Sequence, residues 1–499
     1  MNPVYFYQHL DRFGQSCAVV TPDGNTVSYQ DLQTLVEQFR ETLPVSPELV
    51  FILAANELES LVAYLACLQA GHAVMLLDPA LSVEKLIQLR DLYCPSVVIG
   101  GAVEIPNQLN IANLSNNADS SLNPDVQVAN IPIHHDLGVL LSTSGSTGSP
   151  KQVRLSRQNL QANAVSIADY LTLSQNDRAI TTLPFHYSYG LSVINSHLLS
   201  GATLLLTNDS VMSRSFWDFY DQFSPTSLSG VPHTYELLGR LKFLQRPPST
   251  LRYLTQAGGR LSSELIVQFA QGLKVHDIEF FVMYGQTEAT ARMSYLKPEE
   301  VFDHPDSIGR PIPGGRFEIW DDEGRLIDGA DTKGELVYFG DNIMMGYARS
   351  RADLSRGAEL DWLKTGDIAF KDAAGRFFIC GRKDRAIKVL GHRVDLEHLQ
   401  SLLRNYEPTV LCAGEENRIV LAIVEENLEE DDIRLRLLKE RALELLPVHH
   451  SIFSLAFIPE VPKTSNGKVS YHSVLQTVAA SSRKLSGTNA SSHYVGRAI

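Results

Sequence analysis

The sequence predicts an α/β fold: a large N-terminal domain of layered mixed sheets with helices and a β subdomain, then a small α+β C-terminal domain. Three observations predict it. Apolar runs of strand length alternate with amphipathic helical stretches from Val27 to Tyr284. From about Ser307 the texture changes to Gly- and Pro-rich hairpins. Beyond Arg382 a shorter α+β pattern follows, of roughly a hundred residues, enough for an independent domain. At 499 residues the chain also exceeds what one hydrophobic core supports. The boundaries read as 1–383, 384–478 and a tail, 479–499.

The elements follow in order. Val27-Ser-Tyr-Gln-Asp-Leu opens a helix with Leu32, Leu35, Val36 and Phe39 at helical period. Val50 to Ala54 is a buried strand. Leu58, Leu61, Val62, Leu65 and Leu68 face the core from the next helix, closed by Gly71. Ala73 to Leu77 is a second strand ending at Asp78-Pro79, so strand, helix and strand pair in parallel through a right-handed crossover. Ser156 caps a helix that buries Leu160, Ala164, Ile167, Ala168 and Leu171. Short strands recur at Ala179 to Leu183, Thr203 to Leu206, Ser227 to Val231, Tyr253 to Gln256 and Phe280 to Tyr284. In the small domain a hairpin around Gly391 leads into a helix capped by Asp395. Strand Ile419 to Val424, helix Asp432 to Leu446 and strand Phe453 to Ile458 come next. Ala479 to Ile499 lacks periodicity and reads as disordered.

Composition narrows the function classes. The chain is 44% hydrophobic and 20% charged, ordinary for a soluble globular enzyme. A formal charge of −14 argues against nucleic acid as the main partner, because phosphate contacts need clustered Lys and Arg. The cysteines Cys17, Cys67, Cys94, Cys380 and Cys412 are scattered without a C-x-x-C pair, which fits a reducing compartment without disulfides or structural zinc. The first residues show no secretory pattern and no apolar run spans a bilayer, so cytoplasm is the expected location.

The chemistry centres on residues 141 to 154. Thr143, Ser144, Ser146, Thr147 and Ser149 bring hydroxyl donors, and Gly145 and Gly148 let the backbone approach an anion. Lys151 adds a positive charge. Backbone N–H groups in such turns form nests for phosphate oxygens. No Gly-Lys-Ser/Thr follows at the spacing of a Walker A loop. A Ser/Thr/Gly linker is the bland alternative, but linkers rarely place a Pro-Lys pair between a buried strand and a helix.

With that loop placed, the chain resembles the adenylate-forming superfamily of acyl-CoA synthetases, adenylation domains and luciferases, from about Val27 to Lys468. Thr143-Ser-Gly-Ser-Thr-Gly-Ser-Pro-Lys151 resembles the family's phosphate loop, and Tyr284-Gly285-Gln286-Thr287-Glu288 its adenylate motif. Lys364-Thr-Gly-Asp367 is similar to its ribose motif. Gly381-Arg382-Lys-Asp384, with Ile387-Lys388 and Gly391-His-Arg-Val394, resembles its hinge segment, and Asn466-Gly-Lys468 its C-terminal lysine motif. Each motif alone is weak; five in family order are hard to obtain by chance.

The resemblance implies an ATP-dependent carboxylic acid ligase that forms an acyl-adenylate and then a thioester. The expected thiol is that of CoA or of a carrier protein's phosphopantetheine. Lys468 would bridge the carboxylate and the α-phosphate, where a solvated turn lysine is the bland alternative. Glu288 would hold Mg²⁺ with Thr287 on phosphate, since Mg²⁺ takes one or two carboxylates plus phosphate oxygens; the alternative has Glu288 capping a helix from Ala289. Tyr284 would stack on adenine, with Gln256-Ala-Gly258-Gly259 along its edge and Arg260 where the family has a small residue. Asp367 would accept the ribose hydroxyls and Arg382 donate to one; a surface turn is the alternative. Asp384 would be the hinge of a mobile small domain. Gly391 would line the pantetheine approach.

Leu183-Pro-Phe-His186-Tyr187-Ser-Tyr-Gly-Leu191 occupies the acyl-pocket segment of that family. His186 or Tyr187 stands where amino-acid-activating relatives place an Asp. Without it an ammonium group would be unpaired in a desolvated pocket, which favours an aliphatic, hydroxy or aryl acid. The alternative is that His186 only packs against its neighbours. Two rival functions remain: an adenylating enzyme with a non-thiol acceptor, and an inactive nucleotide-binding interaction module.

Overall fold

The computed structural model describes residues 4–100, 108–109, 131–142, 151–389, 392–415, 417–425, 432–446, 448–463 and 469–478. Most of the phosphate loop (143–150), Gly391, Lys468 and the tail lie outside these. The chain forms two compact units: unit 1 holds Met1–Glu318, Val337–Lys364 and Lys371–Phe378, and unit 2 holds Ile319–Leu336, Thr365–Phe370 and Ile379–Ile499.

Unit 1 is α/β. One sheet runs, neighbour to neighbour, through Ser307–Pro311, Ser294–Leu296, Glu279–Tyr284, Tyr253–Gln256, Ser227–Gly230, Arg178–Ile180, Thr203–Leu205, Cys17–Val20 and Thr26–Ser28. The strands from Glu279–Tyr284 to Cys17–Val20 pair in parallel, as continuous apolar runs between helices require. The second sheet runs Gly346–Ala348, Gln152–Ser156, Leu137–Ser142, Ala73–Leu77, Leu49–Leu53, Val97–Ile99 and Gln108–Leu109. Leu49–Leu53 and Ala73–Leu77 are buried at every position.

Capping explains where helices begin. The Ser28 hydroxyl accepts the Asp31 N–H ahead of helix Tyr29–Arg40. Ser156 and Asn159 form a reciprocal capping box on helix Arg157–Tyr170. The hairpin strands after Ser307 add to these sheets at two places. Ser307–Pro311 pairs antiparallel with Ser294–Leu296, and Gly346–Ala348 pairs antiparallel with Gln152–Arg154. The latter pairing sets Tyr347 opposite Val153, two residues past Lys151.

Unit 2 contains a sheet centred on Arg418–Val424, antiparallel to Val410–Glu415 and parallel to Phe453–Ile458. Helices Leu396–Leu403 and Asp432–Leu445 supply Leu399, Leu403, Leu438 and Ala442 to a core with Val410, Cys412, Leu421 and Phe453. The hairpin Ala386–Val389 with His392–Asp395 sets Lys388 opposite Arg393. Arg385 donates to the Cys412 carbonyl at 2.9 Å and lies 3.4 Å over the Tyr471 ring. Among the described residues no helix is long and apolar enough to cross a membrane.

Candidate nucleotide and acyl site

Two of the charges singled out in the sequence meet on a third residue. Lys151 Nζ lies 3.5 Å from the ring centroid of Tyr347, and the Tyr347 hydroxyl donates to Glu288 Oε1 at 2.9 Å. The strand carrying Tyr347 comes close because Gly346 precedes it. Gly346 has φ +134, and a Cβ there would lie 2.2 Å from Glu359 Oε2 and 2.8 Å from Arg154 Nη2. Arg154 and Glu359 form a 3.1 Å ion pair behind that strand.

Glu288 sits in a single 3₁₀ turn, Thr287–Ala289, rather than capping a longer helix. The turn ends at Thr290 with φ 64 and ψ −58, a conformation a β-branched residue adopts only where its surroundings enforce it. The Thr290 hydroxyl donates to the Asn342 carbonyl at 2.7 Å, and the Met344 N–H donates to the Glu288 carbonyl at 2.9 Å. Half-buried Glu288 is thereby fixed, and its Oε2 has no partner among the described residues. A fixed carboxylate oxygen suits Mg²⁺, which takes hard oxygen ligands and keeps several of its waters.

The rest of the adenylate motif joins the acyl-pocket segment. Thr287 is buried, with its hydroxyl 3.3 Å from that of Ser188. Gly285 admits no side chain, because a Cβ would lie 1.7 Å from the Ala291 carbonyl oxygen. Half-buried Tyr284 packs at 6.3 Å from the Phe317 ring, and Gln286 Nε2 is 3.5 Å from the Tyr284 hydroxyl. Gln256 Nε2 donates to the Gly259 carbonyl at 2.9 Å, and the Tyr187 hydroxyl packs where a side chain on Gly258 would lie. Arg260 turns to the surface and pairs with Asp306 at 3.0 Å, so its bulk leaves the motif undisturbed.

His186 lies in a cleft of about 230 Å³ at the carboxyl ends of parallel strands from both sheets. Crevices at strand carboxyl ends are the usual ligand positions in α/β sheets. The lining includes Asn56, Asp78, Thr181 and Asn208. His186 Nδ1 is 3.4 Å from the Ala54 carbonyl and Nε2 is 3.8 Å from Asp78 Oδ2. Burial pulls the imidazole below its ordinary pKa against the opposing pull of Asp78.

Unit 2 presents its own pair. Asp367 is 4% exposed, and Arg382 Nη1 is 3.6 Å from its Oδ1. The Thr365 hydroxyl accepts the Asp367 N–H at 3.0 Å and donates to the Leu336 carbonyl at 2.8 Å. The surface-turn alternative therefore fails for Asp367, which is buried. Lys388 lies on its hairpin strand. Thr143, Ser144, Gly145, Ser146, Thr147, Gly148, Gly391 and Lys468 lie outside the described residues.

Sequence reasoning missed Tyr347, Ser188, Asp78 and Arg292. Gly346-Tyr347-Ala348 has no local signature; only strand pairing brings it to Lys151. Arg292 did leave a signal, a lone charge within Ala289-Thr-Ala-Arg-Met-Ser-Tyr-Leu296.

Comparison with known proteins adds to this geometry. A family model described as "AMP-binding enzyme" matches residues 6–348. The chain is 26% identical over 400 residues to a 2-succinylbenzoate–CoA ligase of Bacillus pumilus (strain SAFR-032), covering 77% of this chain and 80% of that one. It is 29% identical over 350 residues to an indoleacetate–CoA ligase of Aromatoleum aromaticum (68% and 66%). It is 25% identical over 498 residues to tyrocidine synthase 2 of Brevibacillus parabrevis, covering 93% of this chain but 13% of that protein. Among solved structures, o-succinylbenzoate CoA synthetase from Bacillus subtilis with its acyl-adenylate intermediate superposes with a TM-score of 0.76 at 20% identity, over 95% of this chain and 98% of that one.

Proposed function

Since this chain belongs to the AMP-binding enzyme family, we propose how its own residues divide the work of an ATP-dependent acid–thiol ligase. The reaction has two halves. A carboxylate oxygen attacks the α-phosphorus of ATP and pyrophosphate leaves; then a thiolate sulfur attacks the acyl carbon and AMP leaves. The first half brings anion against anion, so the site acts mainly by positioning and charge stabilisation.

One observation carries the assignment: Lys151 and Glu288 are held on opposite features of Tyr347. A lysine next to the Gly/Ser/Thr loop and a carboxylate four residues past Tyr284 have no packing reason to share a tyrosine. They have a chemical one if both face the same triphosphate. Lys151 binds phosphate oxygens. Glu288 holds Mg²⁺, whose charge offsets that of the phosphates, and Thr287 contacts phosphate. Tyr284 stacks on adenine beside Gly258 and Gly259, with Gly285 and Gln286 shaping the turn. Asp367 and Arg382 hold the ribose hydroxyls, a role that fits a buried carboxylate with a guanidinium at 3.6 Å. Lys468 neutralises charge between the carboxylate and the α-phosphate. His186 contacts the acid from its cleft. Gly391 and Lys388 belong to the approach of the thiol, which is that of CoA or of a carrier protein's phosphopantetheine.

Pyrophosphate exchange into ATP over a panel of fatty, aryl, hydroxy and amino acids tests this reading. Exchange with a carboxylic acid, abolished in Glu288→Gln, is the expected result. A folded protein that exchanges with none of them would leave the inactive interaction module. AMP release with CoA, with a phosphopantetheinyl carrier protein and with hydroxylamine identifies the acceptor. Release with hydroxylamine alone would favour a non-thiol acceptor.

A further inference from the structure

Arg292 is 2% exposed, and among the described residues no carboxylate pairs with it. Its Nη1 donates to the Tyr170 hydroxyl at 2.8 Å and lies 2.9 Å from Met283 Sδ. The guanidinium carbon is 4.6 Å from the centre of the Tyr189 ring, and Nε has no partner. Burial keeps Tyr170 above its ordinary pKa despite the arginine, so the phenol stays neutral and does not cancel the charge. The other deeply buried arginines of this unit are compensated: Arg154 by Glu359 at 3.1 Å and Arg351 by Glu48 at 2.9 Å. Each of these also leaves Nε unpaired, so the missing anion, not the unpaired nitrogen, sets Arg292 apart. Burying a cation without its anion is among the costliest arrangements in a core.

Its surroundings say which anion would fit. Arg292 follows Glu288 by four residues, through the strained Thr290, and its carbonyl is clamped at 3.0 Å by both Asn163 Nδ2 and Asn342 Nδ2. Tyr189, under the guanidinium, belongs to the segment in which Ser188 touches Thr287 and Tyr187 packs on Gly258. Through Tyr189 the cation therefore contacts the acyl segment, four residues along the chain from the carboxylate assigned to the reacting end. Met283 Sδ, 2.9 Å from Nη1, is a flexible thioether and a weaker acceptor than a carboxylate oxygen, which can displace it.

We propose that Arg292 binds a second anionic group at the far end of the acid, so that the substrate is a dicarboxylate rather than a simple monocarboxylic acid. This rests on the ligase reading and on the acyl role of residues 183–191. A planar guanidinium offers paired donors to a carboxylate, and in a desolvated site that contact discriminates strongly against a methyl group in its place.

The test is pyrophosphate exchange with matched pairs: succinate with butyrate, glutarate with valerate, and terephthalate with 4-methylbenzoate. The wild-type protein should favour the dicarboxylate of at least one pair by tenfold or more in kcat/KM. In Arg292→Met that ratio should fall roughly a hundredfold, the loss of charge-assisted hydrogen bonds, and Arg292→Lys should restore part of it. An arginine that merely props Tyr170 would lower both members of a pair together and leave the ratio unchanged, which overturns the proposal. So would a wild-type preference for the monocarboxylate in every pair. Exchange with monocarboxylates alone removes this inference and leaves the ligase standing, whereas no exchange with any acid removes both. If neither variant folds, the wild-type melting temperature decides: it should rise with the favoured dicarboxylate and not with its monocarboxylate partner.

Discussion

The two units secure their site residues by different means. In unit 1, Lys151, Glu288 and Tyr347 come from three distant stretches and hold one another side chain to side chain. In unit 2, Asp367 lies within strand Leu363–Lys371 and is held through main-chain groups, with the Thr365 hydroxyl bridging the Asp367 N–H and the Leu336 carbonyl. The first arrangement preorganises charge before a ligand arrives, but each member depends on the others. The second anchors the carboxylate to main-chain groups, so Arg382 can change without moving it. Substitutions in unit 1 should therefore be non-additive and those in unit 2 separable.

The largest effect is expected in unit 2. Lys468→Ala should slow adenylate formation by about a thousandfold, the upper range for loss of one preorganised charge contact. It should largely spare the transfer of a supplied acyl-adenylate to thiol. Equal loss in both half-reactions, measured separately, would break the proposed division of labour.

Acid should separate the units next. Unit 1 buries His72 and His197, both held below the ordinary histidine pKa chiefly by burial, His197 at about 4. The described histidines His398, His449, His450 and His472 of unit 2 are exposed. Between about 4 and the unfolded value of 6.5, the unfolded chain holds a proton on His197 that the folded one lacks. Stability present above 6.5 is thus lost as pH falls to about 4, by about 3 kcal/mol for this residue. Hydrogen exchange followed from pH 7 to pH 4 should show unit 1 losing protection first, and His197→Gln should flatten that slope. Simultaneous loss in both units would mean that they unfold as one body.

How much was legible beforehand follows the same divide. Short-range features were readable: Ser156 as a cap, the buried strand Ala73–Leu77, Gly71 closing its helix, and the motif order that singled out Glu288 and Asp367 as candidates. The strand Val410–Glu415 was missed because Gly414 and Glu415 break its apolar run; its pairing with Arg418–Val424 decides it. Tyr347 and Asp78 were not readable, because each matters only through partners brought near by sheet pairing. Arg292 shows the limit best. Its charge in an apolar stretch was visible, but that no carboxylate among the described residues pairs with it is a property of the packed core.

Glu288→Gln keeps the shape of the turn and removes its charge. Exchange should fall roughly a hundredfold if the carboxylate holds Mg²⁺. Raising Mg²⁺ should recover part of the loss, and a deficit insensitive to Mg²⁺ would detach Glu288 from the metal.

The smallest effect probes the contact between the two charges. Tyr347→Phe keeps a ring under Lys151 and removes only the hydroxyl on Glu288. Loss of one hydrogen bond to a charged group amounts to about 1.5 kcal/mol, or roughly tenfold in exchange. Tyr347→Leu removes the ring as well and should cost several-fold more, since the lysine then loses its cation–π support. If Glu288 and Tyr347 act as one unit, adding Tyr347→Phe to Glu288→Gln should cost almost nothing further. Full additivity in that double-mutant cycle would show that the tyrosine hydroxyl acts independently of the Glu288 carboxylate, and unit 1 would then hold its charges as separately as unit 2 does.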